Sequence, residues 1–236
     1  MDAFRLKSTS TFRSRGTDGE AVENGCLWYN MRMNRTLEDL FERYHALVPC
    51  REDVYAAFEM LVDSFRAGGK ALVCGNGGSA ADAEHICGEL LKTFMKPRPV
   101  PADVASRLRP ELASRLEGSL PAVSLVSMSG IVTAFANDVA WETAFAQQVL
   151  GLAREGDVLI ALSTSGNSEN CVAAAEVMKA KGGRSIALTG ARESGLSAIC
   201  DVAIRVPETE TFKVQELHLP VYHAICAAVE EEMFRQ

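Results

Sequence analysis

Two stretches of helical pattern carry groups that can move protons. His85 and Glu89 stand four residues apart, and Gln215, Glu216, His218 and His223 cluster near the C-terminus. Residues four apart share one face of a helix. Gln215 and His223, eight apart, are separated by about 80° around a helix, so both reach one cleft. A carboxylate and an imidazole facing one substrate suit general acid–base chemistry. The set His85, Glu89, Gln215 and His223 could also clasp a metal ion or a sugar. The same spacing serves an exposed ion pair, and a histidine on an amphipathic helix is often only a satisfied side chain. Ile86, Leu90, Leu91, Leu217, Leu219 and Val221 flank the two sets, which predicts that both segments are packed and that their polar groups need partners.

Two further stretches could hold an anion. Val73-Cys74-Gly75-Asn76-Gly77-Gly78-Ser79 runs from an apolar strand pattern into a helical one. Its glycines let the backbone turn tightly and approach a ligand, while Asn76 and Ser79 can cap the helix or donate to a ligand. Taken alone, it reads equally as a tight turn with a serine cap. Leu162-Ser163-Thr164-Ser165-Gly166-Asn167-Ser168 repeats the arrangement with four hydroxyls, where a cap needs one. Hydroxyls and free N–H groups at a helix start form a phosphate cradle that needs no lysine. Neither loop ends in the Gly-Lys-Ser/Thr of a nucleotide P-loop, and neither fits the dinucleotide fingerprint with its acidic ribose partner, so no nucleotide cofactor is expected.

The elements that must position these loops are a parallel sheet and its helices. Leu37, Leu40, Phe41 and Tyr44, then Val54, Phe58, Leu61, Val62 and Phe65, recur at helical spacing on either side of Pro49, and Ala67-Gly68-Gly69 stops the second run. Five apolar runs follow at residues 71–74, 122–126, 158–162, 185–188 and 202–206, with helical stretches between them. Such runs are strands buried on both faces, and their alternation with helices points to an open α/β fold. Ligands bind such sheets at the carboxyl ends of the strands, where both loops fall. Residues 95–120, with Pro97, Pro99, Pro101 and Pro110 and a short helical piece at 111–116, form a connection long enough to be a lid, a binding loop or an assembly element.

The whole chain fits one domain with an appendage: 236 residues, 47% hydrophobic, net charge −7. That charge disfavours an extended nucleic-acid groove, and no apolar run reaches membrane-helix length. Seven scattered cysteines without a CxxC pair read as buried reduced thiols, hence a cytoplasmic setting. Residues 1–30 have the composition of a disordered extension, with Met31 and Met33 as alternative starts.

Gly75–Glu89 (GNGGSAADAEHICGE), Asn137-Asp138, Glu155–Ser168 (EGDVLIALSTSGNS), Leu188-Thr189-Gly190, Val206-Pro207 and Gln215–His223 (QELHLPVYH) closely resemble the phosphoheptose isomerase branch of the sugar isomerase (SIS) family. The resemblance covers about residues 36–234, with 95–120 longer than in typical members. It implies a single domain over 31–236 with a five-stranded parallel sheet flanked by helices on both faces, assembled as a homotetramer with active sites at subunit contacts. The implied reaction interconverts sedoheptulose 7-phosphate and D-glycero-D-manno-heptose 7-phosphate. Carried over by position, Ser163, Thr164, Ser165 and Ser168 bind phosphate, Asn76, Gly77, Ser79 and Gln215 contact the substrate, and Glu89 and His223 are the acid–base pair. His85, Glu89, Gln215 and His223 match the Zn2+ ligands of some members. Met128 and Thr93 replace an acidic residue and an arginine of typical members, which opens the alternative of another sugar phosphate. Regulators of the same family, including one that binds the replication initiator, lack the carboxylate and imidazole that Glu89 and His223 supply here.

Overall fold

Asn34 starts the first helix: its side-chain oxygen accepts from the backbone N–H of Thr36 (2.9 Å) and Leu37 (3.2 Å), the ordinary N-cap arrangement. A computed structural model describes residues 33–235; the expected extension 1–30, with Cys26, lies outside them. Helix α1 (Arg35–Arg43) buries Leu37, Leu40 and Phe41. Pro49 falls in a 3-10 turn, His45–Cys50, and α2 (Arg51–Arg66) follows, ending at Gly68 with φ +80°. The break at the proline and the stop at the glycines lie where the sequence puts them.

Five parallel strands form one sheet: β1 (Ala71–Gly75), β2 (Ala122–Ser124), β3 (Val158–Leu162), β4 (Arg184–Thr189) and β5 (Val202–Arg205), in the order β2-β1-β3-β4-β5. The remaining helices are α3 (Gly78–Leu91), α4 (Ala102–Ala105), α5 (Pro110–Ala113), α6 (Ser129–Asp138), α7 (Ala144–Leu152), α8 (Glu169–Ala180), α9 (Gly195–Ile199) and α10 (Thr211–Met233). The chain leaves β1 toward one edge and returns past it to β3, so right-handed crossovers place helices on opposite faces. On one face α6, α7, α8 and α9 cover a core of Leu72, Phe145, Val149, Leu159, Cys171 and Met178. The alternate strand residues, such as Val73, Val158 and Ile186, are buried beneath α2, α3 and α10. The six described cysteines are free thiols, five of them buried; burial pushes Cys87 and Cys226 up to about 12.

The long connection after α3 leaves and returns through a narrow neck. Gly118 N–H donates to the Arg98 carbonyl (2.8 Å) and Leu120 N–H to the Leu90 carbonyl (3.0 Å). Most residues between Arg98 and Gly118 are exposed. The predicted helical piece is shorter than expected and starts earlier, as α5, and α4 was not foreseen. Arg98 itself is enclosed. It donates to Glu230 Oε1 (2.6 Å) and to the carbonyls of Leu90 (2.6 Å) and Glu89 (2.7 Å), while Glu230 also accepts from the N–H groups of Phe94, Met95 and Lys96. Both side chains of this ion pair are fully buried, and every contact satisfies a charge that would otherwise be costly there.

Candidate active site

The strand order reverses between β1 and β3, and this brings the two Gly/Ser loops together at one end of the sheet, with Gly75 paired to Leu162. Gly77 takes φ +58°, a conformation glycine adopts without strain. Neither Asn76 nor Ser79 caps α3 with its side chain. Instead Asn76 and Asn170 exchange two amide hydrogen bonds, 2.8 and 2.9 Å, and so tie the first loop to the start of α8. Asn170 is buried, and sequence reading gave it no role; only the strand order makes it a partner. Ser79 is also buried, beneath the turn.

The second loop draws three of its hydroxyls together, with Ser163 buried and Ser165 exposed. Ser163 Oγ lies 2.9 Å from Ser168 Oγ and 3.5 Å from Ser165 Oγ, and the Asn167 N–H donates to Ser165 Oγ (3.2 Å). Gly166, at φ +68°, packs against Ser194 with no room for a Cβ. Thr164, Ser165, Asn167, Arg192, Thr209 and Thr211 line a cleft of about 160 Å³. Arg192 and Glu193 add one charge of each sign to the lining of what the sequence suggests is a neutral cradle. Above the first loop, Gln215 rests against Gly78, so α10 begins where α3 begins.

Along α3, Asp82, His85 and Glu89 form one stripe facing Tyr222 and His223 of α10. His85 Nε2 lies 3.1 Å from Glu89 Oε1, and Lys92 Nζ lies 3.3 Å from Glu89 Oε2. His85 Nδ1 lies 3.0 Å from the Tyr222 hydroxyl, which donates to Asp82 Oδ1 (3.1 Å). The His85 and His223 rings meet edge to face, 4.9 Å between centres. Burial lowers the His223 imidazole, the neighbouring His85 lowers it further, and Glu89 opposes the shift only in part. Burial raises Asp82, against the hydrogen bond from Tyr222 and the nearby His85. Burial and the Asp82 carboxylate push the Tyr222 phenol up, so it keeps its proton.

The predicted set therefore divides. His85, Glu89 and His223 meet, Gln215 sits over the adjoining loop, and His218 goes elsewhere: fully buried, with Nε2 3.3 Å from the Thr189 carbonyl and burial depressing it to about 4. Glu216 is exposed, and so are Leu91 and Leu219, which the flanking pattern led us to expect inside. Asp82, Lys92 and Tyr222 were missed. Asp82 lies three residues before His85, the spacing that could have found it; Tyr222 needs the crossing of two helices.

A metal ion has chemistry to meet here. His223 Nε2 is buried without a hydrogen-bond partner, and His85 and Glu89 offer nitrogen and oxygen donors of the kind that bind zinc. The donors fit in type; they are not drawn into a closed group, since among the described residues no three His, Cys, Asp or Glu side chains stand as a metal site. Beside His223 opens a groove of about 290 Å³ lined by Asp39, Arg43, Tyr44, Phe94, Met95 and Glu216.

Comparison with known proteins gives the same outline. The sequence pattern of the SIS domain matches residues 29–190. A phosphoheptose isomerase of Rhodospirillum rubrum is 38% identical over 84% of this chain and 94% of its own length. One from Nitratiruptor sp. is 36% identical over 90% and 98%. The structure of a phosphoheptose isomerase from Neisseria gonorrhoeae superposes with a TM-score of 0.64 at 33% identity, over 84% of this chain and 92% of that one. With the sheet order, the loops and these relatives in hand, the chain belongs to the SIS domain family, in its phosphoheptose isomerase branch.

Proposed function

We propose that this chain is a sugar-phosphate aldose–ketose isomerase that converts sedoheptulose 7-phosphate to D-glycero-D-manno-heptose 7-phosphate through an enediol. The observation that carries the reading is the juxtaposition of Glu89, His85 and His223 on two helices that start beside a hydroxyl-lined cleft at the sheet's carboxyl end. The reaction moves one proton between C1 and C2 and another between their oxygens. Glu89 acts as the carbon base and His223 serves the oxygens. Because its environment lowers His223, the imidazole is neutral near pH 7 and free to accept. Ser163, Thr164, Ser165 and Ser168 hold the phosphate, with Asn76, Gly77, Ser79 and Gln215 along the sugar. Bound Zn2+ would be held by His85, Glu89, Gln215 and His223, and would polarise the carbonyl and enediolate oxygens as a Lewis acid. A cytoplasmic homotetramer is part of the proposal; exposed Leu91, Met95 and Leu219 offer apolar surface for the contact. No helix among the described residues is long and apolar enough to cross a membrane.

A second substrate class has its own support. Met128 packs against the core, and Thr93 Oγ1 is buried without a partner, so neither position presents a charge to a sugar hydroxyl. A coupled assay over five- to seven-carbon ketose phosphates tests both readings. The expected result is turnover of the seven-carbon substrate, lowered about 10²–10⁴-fold in Glu89→Gln. Preference for a shorter ketose would move the substrate class. Sugar-phosphate binding with no turnover anywhere on the panel would move the chain to the family's regulators.

A further inference from the structure

The contacts of Tyr222 fix more than its own position. A tyrosine hydroxyl has one hydrogen to give, and an ionised carboxylate can only accept. Among the described residues the Tyr222 hydroxyl is the donor that reaches Asp82, at 3.1 Å. Turning that hydrogen toward His85 would leave the Asp82 carboxylate without any protein donor in a half-buried position. The hydroxyl oxygen therefore faces His85 Nδ1 as an acceptor at 3.0 Å, and Nδ1 carries the hydrogen. In a neutral imidazole the other nitrogen then has only a lone pair. That nitrogen, Nε2, is the one that points at Glu89 Oε1, 3.1 Å away.

Resting on the isomerase reading above, we propose that Asp82 and Tyr222 are positioning residues that lock His85 in its Nδ1–H tautomer, so that Nε2 presents a lone pair beside the Glu89 carboxylate. Two acceptors so placed can hold a divalent cation between them. With a hydrogen on Nε2, His85 would instead donate to Glu89, occupying the oxygen the carbon base needs and closing the nitrogen to a metal. The arrangement also fixes ring orientation: Tyr222 is buried, and its ring meets those of His85 (5.5 Å between centres) and His223 (4.9 Å) edge to face. Tyr222 thus braces both imidazoles from the position next to His223. Partners of this kind, bonded to the far nitrogen of a ligating histidine, set its tautomer and basicity, and losing one costs about 10–100-fold in metal affinity or activity.

The test is Tyr222→Phe, which keeps the ring and removes the hydroxyl, with Asp82→Leu as a second variant. Two-bond proton–nitrogen correlation spectra of 15N-histidine-labelled protein at pH 8.5, where an ordinary imidazole is neutral, read the tautomer; His85→Gln assigns the signals. The parent should carry its hydrogen on Nδ1, and Tyr222→Phe should move His85 to the Nε2–H form. Zn2+ affinity by chelator competition should weaken about 10–100-fold, and kcat should fall in the same range with KM within about twofold. Asp82→Asn, which keeps an acceptor oxygen for the hydroxyl, should recover most of what Asp82→Leu loses. A parent whose His85 holds its hydrogen on Nε2 overturns the proposal. So does a Tyr222→Phe protein with unchanged tautomer, Zn2+ affinity and kcat. The tautomer and Zn2+ readouts need no substrate, so they decide the matter even if every ketose phosphate is left unturned and the isomerase reading alone fails.

Discussion

On α10, burial divides two histidines that look alike in sequence. His218 is fully enclosed and depressed to about 4, while His223 is half-buried at the edge of a groove. The sign of the His218 effect follows from linkage: the unfolded chain, titrating near 6.5, takes up a proton first. The stability tied to neutral His218 is complete above pH 6.5 and is lost as pH falls toward 4, about 3 kcal/mol in all. His218→Gln keeps a donor for the Thr189 carbonyl and removes the titration. In urea unfolding, the parent should lose about that much more stability than the variant between pH 6.5 and 4; equal slopes would remove His218 from this role. Spacing alone could nominate His85, Glu89, Gln215 and His223, since one helical period puts them on shared faces. It could not separate His218 from them, because which flank of α10 meets β4 is decided by packing over long range.

At the scale of elements, the Arg98–Glu230 pair fastens three segments: the carboxyl end of α3, the start of the long connection and the last turns of α10. Burial pushes Glu230 up, but the Phe94 and Met95 N–H groups and Arg98 outweigh it and hold the carboxyl below its ordinary value. Its contribution is therefore complete above about pH 4.5 and is lost as pH falls through the lower folded value. Glu230→Gln leaves Arg98 buried and unpaired, and should cost about 3–5 kcal/mol in chemical denaturation near pH 7. A loss below about 1 kcal/mol would mean that the surroundings relax around the arginine. The strands were legible to within a residue or two, because continuous apolar runs are local signals, as are Pro49 and the glycine stop that bound α2; the short helices α4 and α5 were not. Among the strands β2 is the exception, pairing only through Ser124 where the apolar run continues to Val126. The pair was invisible in sequence: Arg98 sits in a proline-rich stretch that reads as loop, and its partner lies far along the chain.

For the whole molecule, the sequence points to two Gly/Ser loops of a kind suited to anions, and the order β2-β1-β3-β4-β5 makes them neighbours. Parallel pairing is set by contacts distant in sequence, so the order had to come from the fold. The excursion between Arg98 and Gly118 is closed off by its neck, so it can be removed without touching the core. Replacing residues 99–117 with a short Gly/Ser linker should leave the melting temperature within about 3 °C, since exposed changes shift stability little. Light scattering should then report a smaller particle than the parent protein forms if the excursion joins subunits. An unchanged mass with unchanged KM would make it an appendage.

The reciprocal amide pair between Asn76 and Asn170 also bears on how the protein ages. Asn76 precedes Gly77, and an asparagine followed by glycine is the sequence most open to deamidation, because the glycine nitrogen can reach the side-chain carbonyl and close a succinimide ring. Here that carbonyl oxygen accepts from Asn170 and the amide nitrogen donates back, which holds the group away from its own backbone. Asn170→Ala should release it, so peptide mapping after prolonged warm storage should find Asn76 converted to aspartate and isoaspartate faster than in the parent. Conversion would set a negative charge, or an extra backbone carbon, in the loop proposed to lie along the sugar. Equal conversion in parent and variant would mean the turn at Gly77, not the amide pair, preserves the loop. In the first case, a preparation's loss of activity over months becomes a clock set by a single side-chain contact.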